Sequence, residues 1–313
     1  MTPGIKGLVC RSCWKLVPPS GRHWMSECSE PTIHPGLVQA ALDSEGNEFH
    51  KELILTPTTV LGKVRDEFIR RTLPYAPEAQ GVNSLIVGTA VGERVEEGLV
   101  KGGWTRQVEV RGTLLGKKFK GRMDTVLFDP NGGVFAIENK FAGAGEFYYT
   151  RSGHVAKVEV SAQVNMGVHL LSQMDERVKI DSDGRPANVE MQAWTGTIAR
   201  AAFDKKSGQF VDPWIRQRVP PMNLQEIGAV RPGGAGNTVA EAVEWLDAAF
   251  TRVKEGEDPV EVLKSIPHSC ETMYGGACRP YCGSNRTCLK LRGVALQDKG
   301  IVQVAIPWEE WGL

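Results

Sequence analysis

A hairpin at residues 121–141 constrains the fold of this chain more than any other part of its sequence. The segment GRMDTVLFDPNGGVFAIENKF holds two short apolar runs separated by a turn sequence, a pattern typical of two antiparallel strands. Asp124 begins the first run, and Glu138 and Lys140 end the second. Because strand residues two apart share a face, Glu138 and Lys140 point the same way, Asn139 points away, and the hairpin brings Asp124 close to them. The sequence therefore predicts two carboxylates and one ammonium at one sheet edge.

These three groups predict a metal site. Two carboxylates so close together repel each other unless a cation lies between them, and oxygen ligands favour magnesium or manganese. We therefore expect Asp124 and Glu138 to bind Mg²⁺ or Mn²⁺ beside Lys140. A metal that activates water, with a lysine that orients the water or stabilises charge on a phosphate, is typical of phosphodiester hydrolysis.

The hairpin resembles the PD-(D/E)XK nucleases, in which an Asp lies one strand before an Asp/Glu-x-Lys motif. Asp124 matches the Asp, and residues 138–140 (ENK) match the second motif. Met123 replaces the family's proline, but residues 121–124 (GRMD) fit the G-x-x-D of RecB-type members. The resemblance implies a restriction-endonuclease-like α/β or α+β core, with a mixed sheet flanked by helices, that hydrolyses DNA with Mg²⁺ or Mn²⁺.

A helix is predicted after the hairpin, over residues 155–172, where apolar residues recur at helical spacing. In RecB-type nucleases a helix at this place carries Q-x-x-x-Y, whose Gln helps to place the substrate and the reacting groups. Gln163 matches that Gln, and Gly167 stands where the Tyr is expected. The resemblance therefore implies a catalytic role for Gln163.

A second helix is predicted before the hairpin, over residues 85–103. It resembles the family's opening G-x-x-x-H helix, but Gly92 stands where the metal-binding His is expected. Other branches of the family use a Glu from this helix, so the resemblance implies Glu93 as a metal ligand, on one face with Glu96 or Glu97. The alternative is an ordinary acidic first turn, which the helix dipole favours.

Four cysteines lie close together near the C-terminal end, at Cys270, Cys278, Cys282 and Cys288. The turn-forming residues between them suit a soft metal, and the N-terminal sequence lacks the apolar segment of a signal peptide. A cytoplasmic chain with clustered cysteines is expected to bind metal rather than to form disulfides. Structural zinc usually has two C-x2-4-C pairs, and here only Cys278 and Cys282 form one.

The C-x3-C-x5-C group after a RecB-type core resembles the iron–sulfur nucleases, whose usual spacing is one residue shorter. These include the RecB-like subunit of bacterial end-resection complexes and the nucleases of CRISPR spacer acquisition. The resemblance implies a [4Fe–4S] cluster on Cys278, Cys282 and Cys288. Cys270 is the expected fourth ligand and an N-terminal cysteine the alternative; zinc is the alternative metal.

The remaining three cysteines form an N-terminal group. Cys10 and Cys13 make a C-x2-C pair, Cys28 follows, and His23 or His34 would supply a fourth ligand. Three cysteines and one histidine are a common structural zinc site, so we expect a zinc knob. The basic and aromatic residues around it could line the knob or contact a nucleic-acid strand. Alternatively, Cys28 is the upstream ligand of the iron–sulfur cluster, which would leave the C-x2-C pair two-coordinate.

The metal-ligand groups divide the 313 residues into three predicted parts. Residues 1–36 form the zinc-binding Cys/His module, 37–230 the nuclease core, and 231–313 the C-terminal helix and iron–sulfur segment with its tail. No apolar run approaches the roughly 20 residues that span a bilayer, so we expect no membrane segment and a cytoplasmic protein, in the host cytoplasm if a phage encodes it.

Patterning outside the hairpin predicts the helices and strands that an α/β or α+β core requires. Apolar periodicity predicts helices within residues 37–73 and after an N-cap at Asn237 or Thr238. Alternating patterns predict strands over residues 105–128 and 189–219.

Charge limits how such a protein could bind DNA. The chain has 37 basic and 37 acidic residues, a net charge of zero that counts against tight nonspecific DNA binding. Basic residues nevertheless gather between positions 106 and 140, around the predicted site. DNA binding is therefore expected to be local.

The resemblance thus implies a metal-dependent DNA exonuclease that acts on a single-stranded end. The resemblance implies a role in phage or mobile-element recombination, with a recombination or strand-annealing protein as partner. One alternative is an endonuclease of the same fold with the zinc knob as its recognition module. The other is a catalytically inactive nuclease-fold protein that binds DNA or acts as an inhibitor. It is suggested by Gly92 and Gly167, which stand where the family has a His and a Tyr.

Overall fold

The computed structural model describes most of the central part of the chain and short pieces of both ends. The described residues are 4–5, 8–9, 16–17, 52–75, 79–141, 153–197, 203–204, 209–210, 214–233, 236–267, 296–298 and 301–303. All of the predicted cysteine and histidine ligands lie outside them: Cys10, Cys13, His23, Cys28, His34, Cys270, Cys278, Cys282 and Cys288. Both cysteine-rich modules therefore stay predictions.

A mixed five-stranded sheet forms the centre of the described structure. Its strands are β1 (Thr105–Leu114), β2 (Lys117–Phe128), β3 (Val134–Phe141), β4 (Val189–Gly196) and β5 (Trp214–Arg218). They lie side by side in chain order; β3 and β4 are parallel, and the other neighbours are antiparallel. A parallel step needs a long crossover, which the helical segment between β3 and β4 provides.

Helices surround this sheet. They are α1 (Pro57–Leu61), α2 (Val64–Thr72), α3 (Ala79–Lys101), α4 (Val158–Ser172), α5 (Leu224–Ala229), α6 (Val239–Lys254) and α7 (Pro259–Ser265). Thr238 is the N-cap of α6, where its side chain accepts a hydrogen bond from the backbone of Glu241 in a capping box. The predicted α/β core with a mixed sheet and flanking helices is confirmed.

Short strands pair outside the main sheet. Gly4–Ile5 runs parallel to Pro74–Tyr75, and the other three pairs are antiparallel. These pairs are Leu8–Val9 with Leu16–Val17, Phe203–Asp204 with Gln209–Phe210, and Leu296–Asp298 with Ile301–Gln303. None of the helices in the described residues is both long and apolar enough to cross a membrane.

The helices α3 and α4 cover opposite faces of β3. Gly88 of α3 lies against Phe141, so close that a Cβ on Gly88 would be 3.4 Å from the Phe141 Cβ. Gln163 of α4 hydrogen-bonds Lys140, the neighbour of Phe141 that points to the other face. The end of β3 is therefore enclosed between two helices.

Burial along β3 explains how a carboxylate enters the interior. Val134, Ala136 and Glu138 are all buried, because they share the strand face that turns to the core. Further from the sheet, α2 and α6 meet through Phe68 and Phe250, whose ring centroids lie 6.2 Å apart. Each such buried side chain contributes about 1.5–3 kcal/mol to stability, so the core fixes the frame that holds Glu138.

Candidate active site

Strands β2 and β3 stop pairing beside the predicted acids. Their register ends with Thr125 opposite Ile137. One residue further on, the Asp124 side chain intervenes, and its Oδ2 accepts a hydrogen bond from the backbone N–H of Asn139 at 2.8 Å. The Asp124 carboxylate is thereby held at the opening between the two strands.

Glu138, Lys140 and Gln163 form a closed hydrogen-bonded triangle. Lys140 Nζ donates to Glu138 Oε1 at 2.6 Å and to Gln163 Oε1 at 2.9 Å. Gln163 Nε2 donates to the same Glu138 oxygen at 2.6 Å. Glu138 is only 6% exposed. The structure thus brings together four of the predicted site residues: Asp124, Glu138, Lys140 and Gln163.

Gln163 reaches this triangle because α4 packs closely on the sheet. One turn after Gln163, Gly167 faces Met123 of β2, and a Cβ on Gly167 would lie 3.0 Å from the Met123 Cγ. A larger side chain at this position would press on the Met123 side chain. The absence of a side chain at Gly167 is therefore part of how this helix approaches the sheet.

Two carboxylate oxygens remain for a ligand. Among the described residues, neither Oδ1 of Asp124 nor Oε2 of Glu138 receives a hydrogen bond, since all the contacts above end on the other oxygen of each group. Within the same residues, no three Asp, Glu, His or Cys side chains are grouped as a complete metal site. Mg²⁺ usually binds one or two carboxylates and takes its other ligands from water and substrate phosphate. A pair of carboxylates fits that preference.

The electrostatics of Asp124 also suit a cation. Burial raises the pKa of Asp124 well above its usual range, and the neighbouring Glu138 carboxylate raises it further. The ammonium of Lys140 and the backbone N–H of Asn139 lower this pKa but do not offset burial and repulsion. Because a nearby cation favours the ionised form, a divalent metal would relieve this repulsion.

Helix α3 contributes an acid, but not the predicted one. The Glu93 side chain is exposed, whereas Glu96 is only 5% exposed and accepts a hydrogen bond from Gln107 Nε2 at 2.7 Å. Glu96 lies close enough to both Asp124 and Glu138 to raise their electrostatic repulsion. Glu96 follows Gly88 by eight residues and therefore shares its inward face, which is the signal that could have identified it.

Gln107 is a site residue for which the sequence carries no signal. It lies on β1 across from Asp124, between the register pairs Arg106–Thr125 and Val108–Met123. Its φ is +52°, a left-handed conformation that is uncommon and costly for a residue other than glycine.

The amide of Gln107 joins two charged groups. It donates to Glu96 and accepts a hydrogen bond from Arg122 Nη1 at 3.3 Å. Burial raises the pKa of Glu96, and the hydrogen bond from Gln107 opposes that rise. Gln107 therefore helps to keep a third carboxylate ionised beside the acid pair.

Comparisons with known proteins add only distant structural likeness. No protein-family model and no curated protein matches the chain. A solved structure described as "Crystal structure of SSO0001" is similar over 74% of this chain and 90% of its own, at 14% identity and a TM-score of 0.38. A likeness at that score supports no statement about fold or activity.

Proposed function

We propose that this chain is a metal-dependent deoxyribonuclease that hydrolyses phosphodiester bonds and acts as an exonuclease on a single-stranded end. The observation that carries the proposal is the convergence of Asp124 and Glu138 with Lys140 and Gln163. Two acids, one ammonium and a positioning amide are the groups that phosphodiester hydrolysis with a divalent metal needs.

The acids are the proposed ligands of Mg²⁺ or Mn²⁺. Asp124 and Glu138 each have one carboxylate oxygen without a hydrogen bond from the described residues, and Glu96 adds a third negative charge nearby. A bound divalent cation would activate water and neutralise charge on the phosphate.

Lys140 and Gln163 act beside the acids. The Lys140 ammonium can donate to a phosphate oxygen or to the attacking water, and it stabilises the negative charge that develops as the phosphate reacts. Gln163 binds both the amine and the Glu138 carboxylate, so it fixes the position of Lys140 relative to the acids. Gln163 is therefore proposed as a positioning residue.

Local positive charge supports a nucleic-acid substrate. Arg106 and Arg111 on β1 and Lys118 on β2 are exposed, on the strands that lead to Asp124. Such cations bind backbone phosphates and position a strand without reading its sequence.

Some parts of the proposal rest on the family resemblance alone. These are the attack on DNA ends, the recombination or strand-annealing partner, the structural zinc and the [4Fe–4S] cluster. Iron and acid-labile sulfide analysis of anaerobically purified protein tests the cluster, because a zinc site would contain neither.

A nuclease assay tests the activity. Linear single-stranded DNA, labelled at either end, and covalently closed circles of the same sequence are incubated with Mg²⁺, Mn²⁺ or chelator. We expect metal-dependent shortening of the linear strand and intact circles. D124N, E138Q and K140M should each lose at least about 100-fold in rate, whereas E176Q, at an exposed acid far along the chain, keeps the wild-type rate.

The other outcomes separate the alternatives. Cut circles would identify an endonuclease with the same site. Failure to cleave either substrate, or equal cleavage by wild type and D124N, would overturn the proposal and favour a nuclease-fold protein without this catalytic function.

A further inference from the structure

A cavity of about 330 Å³ lies beside Lys140, where α1, α2, α4 and the ends of β3, β4 and β5 meet. Lys140 and Gln163 form part of its wall, so it adjoins the proposed catalytic cluster. Its volume is at the lower end of the roughly 300–1,000 Å³ range of ligand pockets, which suits one nucleoside better than a larger molecule. Leu61 and Val160 supply apolar surface.

Two side chains, Gln217 and Glu67, supply hydrogen-bond acceptors to the wall of this cavity, which Lys140 and Lys157 also line. Gln217 is only 4% exposed, and its Nε2 donates to the backbone carbonyls of Gly153 and Val155 at 3.1 and 3.0 Å. The polar atom that remains on this side chain is Oε1, an acceptor. Glu67 faces the cavity from α2 and adds a carboxyl group.

The Glu67 carboxyl is half-buried, and its charged neighbours act on it electrostatically, with no hydrogen bond from a described residue. Gly62 makes room for it, because a Cβ on Gly62 would lie 2.9 Å from Glu67 Oε1. Burial raises the pKa of Glu67 to about 7, against the opposing effect of Arg70. A partly buried carboxyl without a hydrogen-bond donor is costly, so its position suits a ligand that brings N–H groups.

We propose that the cavity beside Glu67 and Lys140 is a base-reading pocket for guanine in the nucleotide adjoining the scissile phosphate. The inference rests on the proposed nuclease function, which puts a phosphate at Lys140. A carboxylate has two adjacent acceptors, and guanine is the DNA base whose pairing edge offers two adjacent N–H donors, at N1 and N2. Adenine and cytosine put a ring acceptor beside the amino group, and thymine has one N–H between two carbonyls. The Glu67 carboxylate therefore selects guanine.

Nucleotide binding tests the pocket without requiring cleavage. Isothermal titration calorimetry in mildly alkaline buffer compares deoxyguanosine monophosphate with deoxyinosine monophosphate, which lacks the N2 amine. Wild-type protein should prefer the guanine nucleotide by roughly 5- to 100-fold. E67Q should lose the preference, because an amide replaces one acceptor with a donor. G62A should weaken it, because its methyl group displaces the carboxyl.

The matched control is E176Q, an exposed Glu→Gln change that should leave the preference intact. Equal affinity for the two nucleotides, or no binding of either, overturns the pocket even if the protein cleaves DNA.

Mapping of cut positions separates the pocket from the nuclease activity. After short digestion of a random-sequence oligonucleotide pool, product ends are sequenced, and guanine should be enriched at one fixed position beside the cut. The enrichment should disappear in E67Q. Cleavage without base preference would rule out the proposed guanine pocket but agree with the proposed nuclease activity. Guanine-selective binding without cleavage keeps the pocket and overturns the nuclease.

Discussion

The Gln107 amide donates a hydrogen bond of 2.7 Å to the Glu96 carboxylate from a backbone held at φ +52°. Strained backbone of this kind costs about 1–3 kcal/mol and is concentrated at functional sites. The strained residue, Gln107, lies on β1 opposite Asp124 on the neighbouring strand β2. The strain and the buried acids therefore occupy one small region, as expected if the fold gives up stability to keep carboxylates together.

Two replacements of Gln107 can separate the effect of its backbone conformation on stability from the effect of its side-chain amide. Q107A and Q107G both remove the amide, but glycine adopts positive φ freely, so Q107G should be more stable than Q107A by about 1 kcal/mol in urea unfolding. Mg²⁺ affinity should fall equally in both variants, since each leaves Glu96 without this donor.

A control for that comparison lies on the same strand. At Thr113, an exposed β1 residue, glycine should be the less stable replacement. If glycine were also less stable than alanine at position 107, the backbone of Gln107 would be unstrained.

The pKa of Asp124 predicts how metal-free protein responds to pH. Because its folded pKa is raised, Asp124 contributes stability that is present below the unfolded value of 3.8 and is lost as pH rises through the folded pKa. D124N removes this loss, so metal-free D124N should be more stable than wild type at neutral pH.

Added Mg²⁺ should reverse that order. Saturation to about 100 times the dissociation constant stabilises wild type by about 2.7 kcal/mol and raises its thermal midpoint, with little effect on D124N. An equal Mg²⁺ shift in both proteins would place the ion elsewhere.

Glu67 predicts a second pH dependence, at neutral pH. Burial raises its pKa from 4.5 to about 7, so its contribution to stability is full below the unfolded value and lost as pH rises to about 7. Above the folded pKa, the free energy of unfolding of E67Q should be about 1–3 kcal/mol larger than that of wild type. Below the unfolded pKa, this difference should vanish. Urea unfolding across this range measures the difference, and a pH-independent gap would contradict the burial of Glu67.

The close approach of Gly167 to Met123 predicts how a larger side chain at position 167 changes stability. G167L should destabilise the protein by about 1–3 kcal/mol, because its Cβ would press on the Met123 side chain. M123A removes the obstructing atoms, so the double variant should lose less stability than the two single changes together. Additive losses in denaturant unfolding would mean that α4 does not meet β2 through this pair.

Local sequence pattern is sufficient to predict the hairpin, the shared face of Glu138 and Lys140, and the helix that carries Gln163. Strand alternation and helical spacing are properties of the backbone, so they can be read without knowledge of the rest of the fold. The capping box at Thr238 is equally local, since both of its hydrogen bonds lie within four residues.

The tertiary structure decided which other groups meet this cluster. Glu96 rather than Glu93 turns inward because Gly88 sets the face of α3 that lies on the sheet. Gln107 takes a left-handed conformation, and Glu67 faces a cavity beside Lys140, only because strands and helices distant in sequence pack there. The positions of Gln107 and Glu67 depend on contacts between elements, and no periodicity within one segment encodes them.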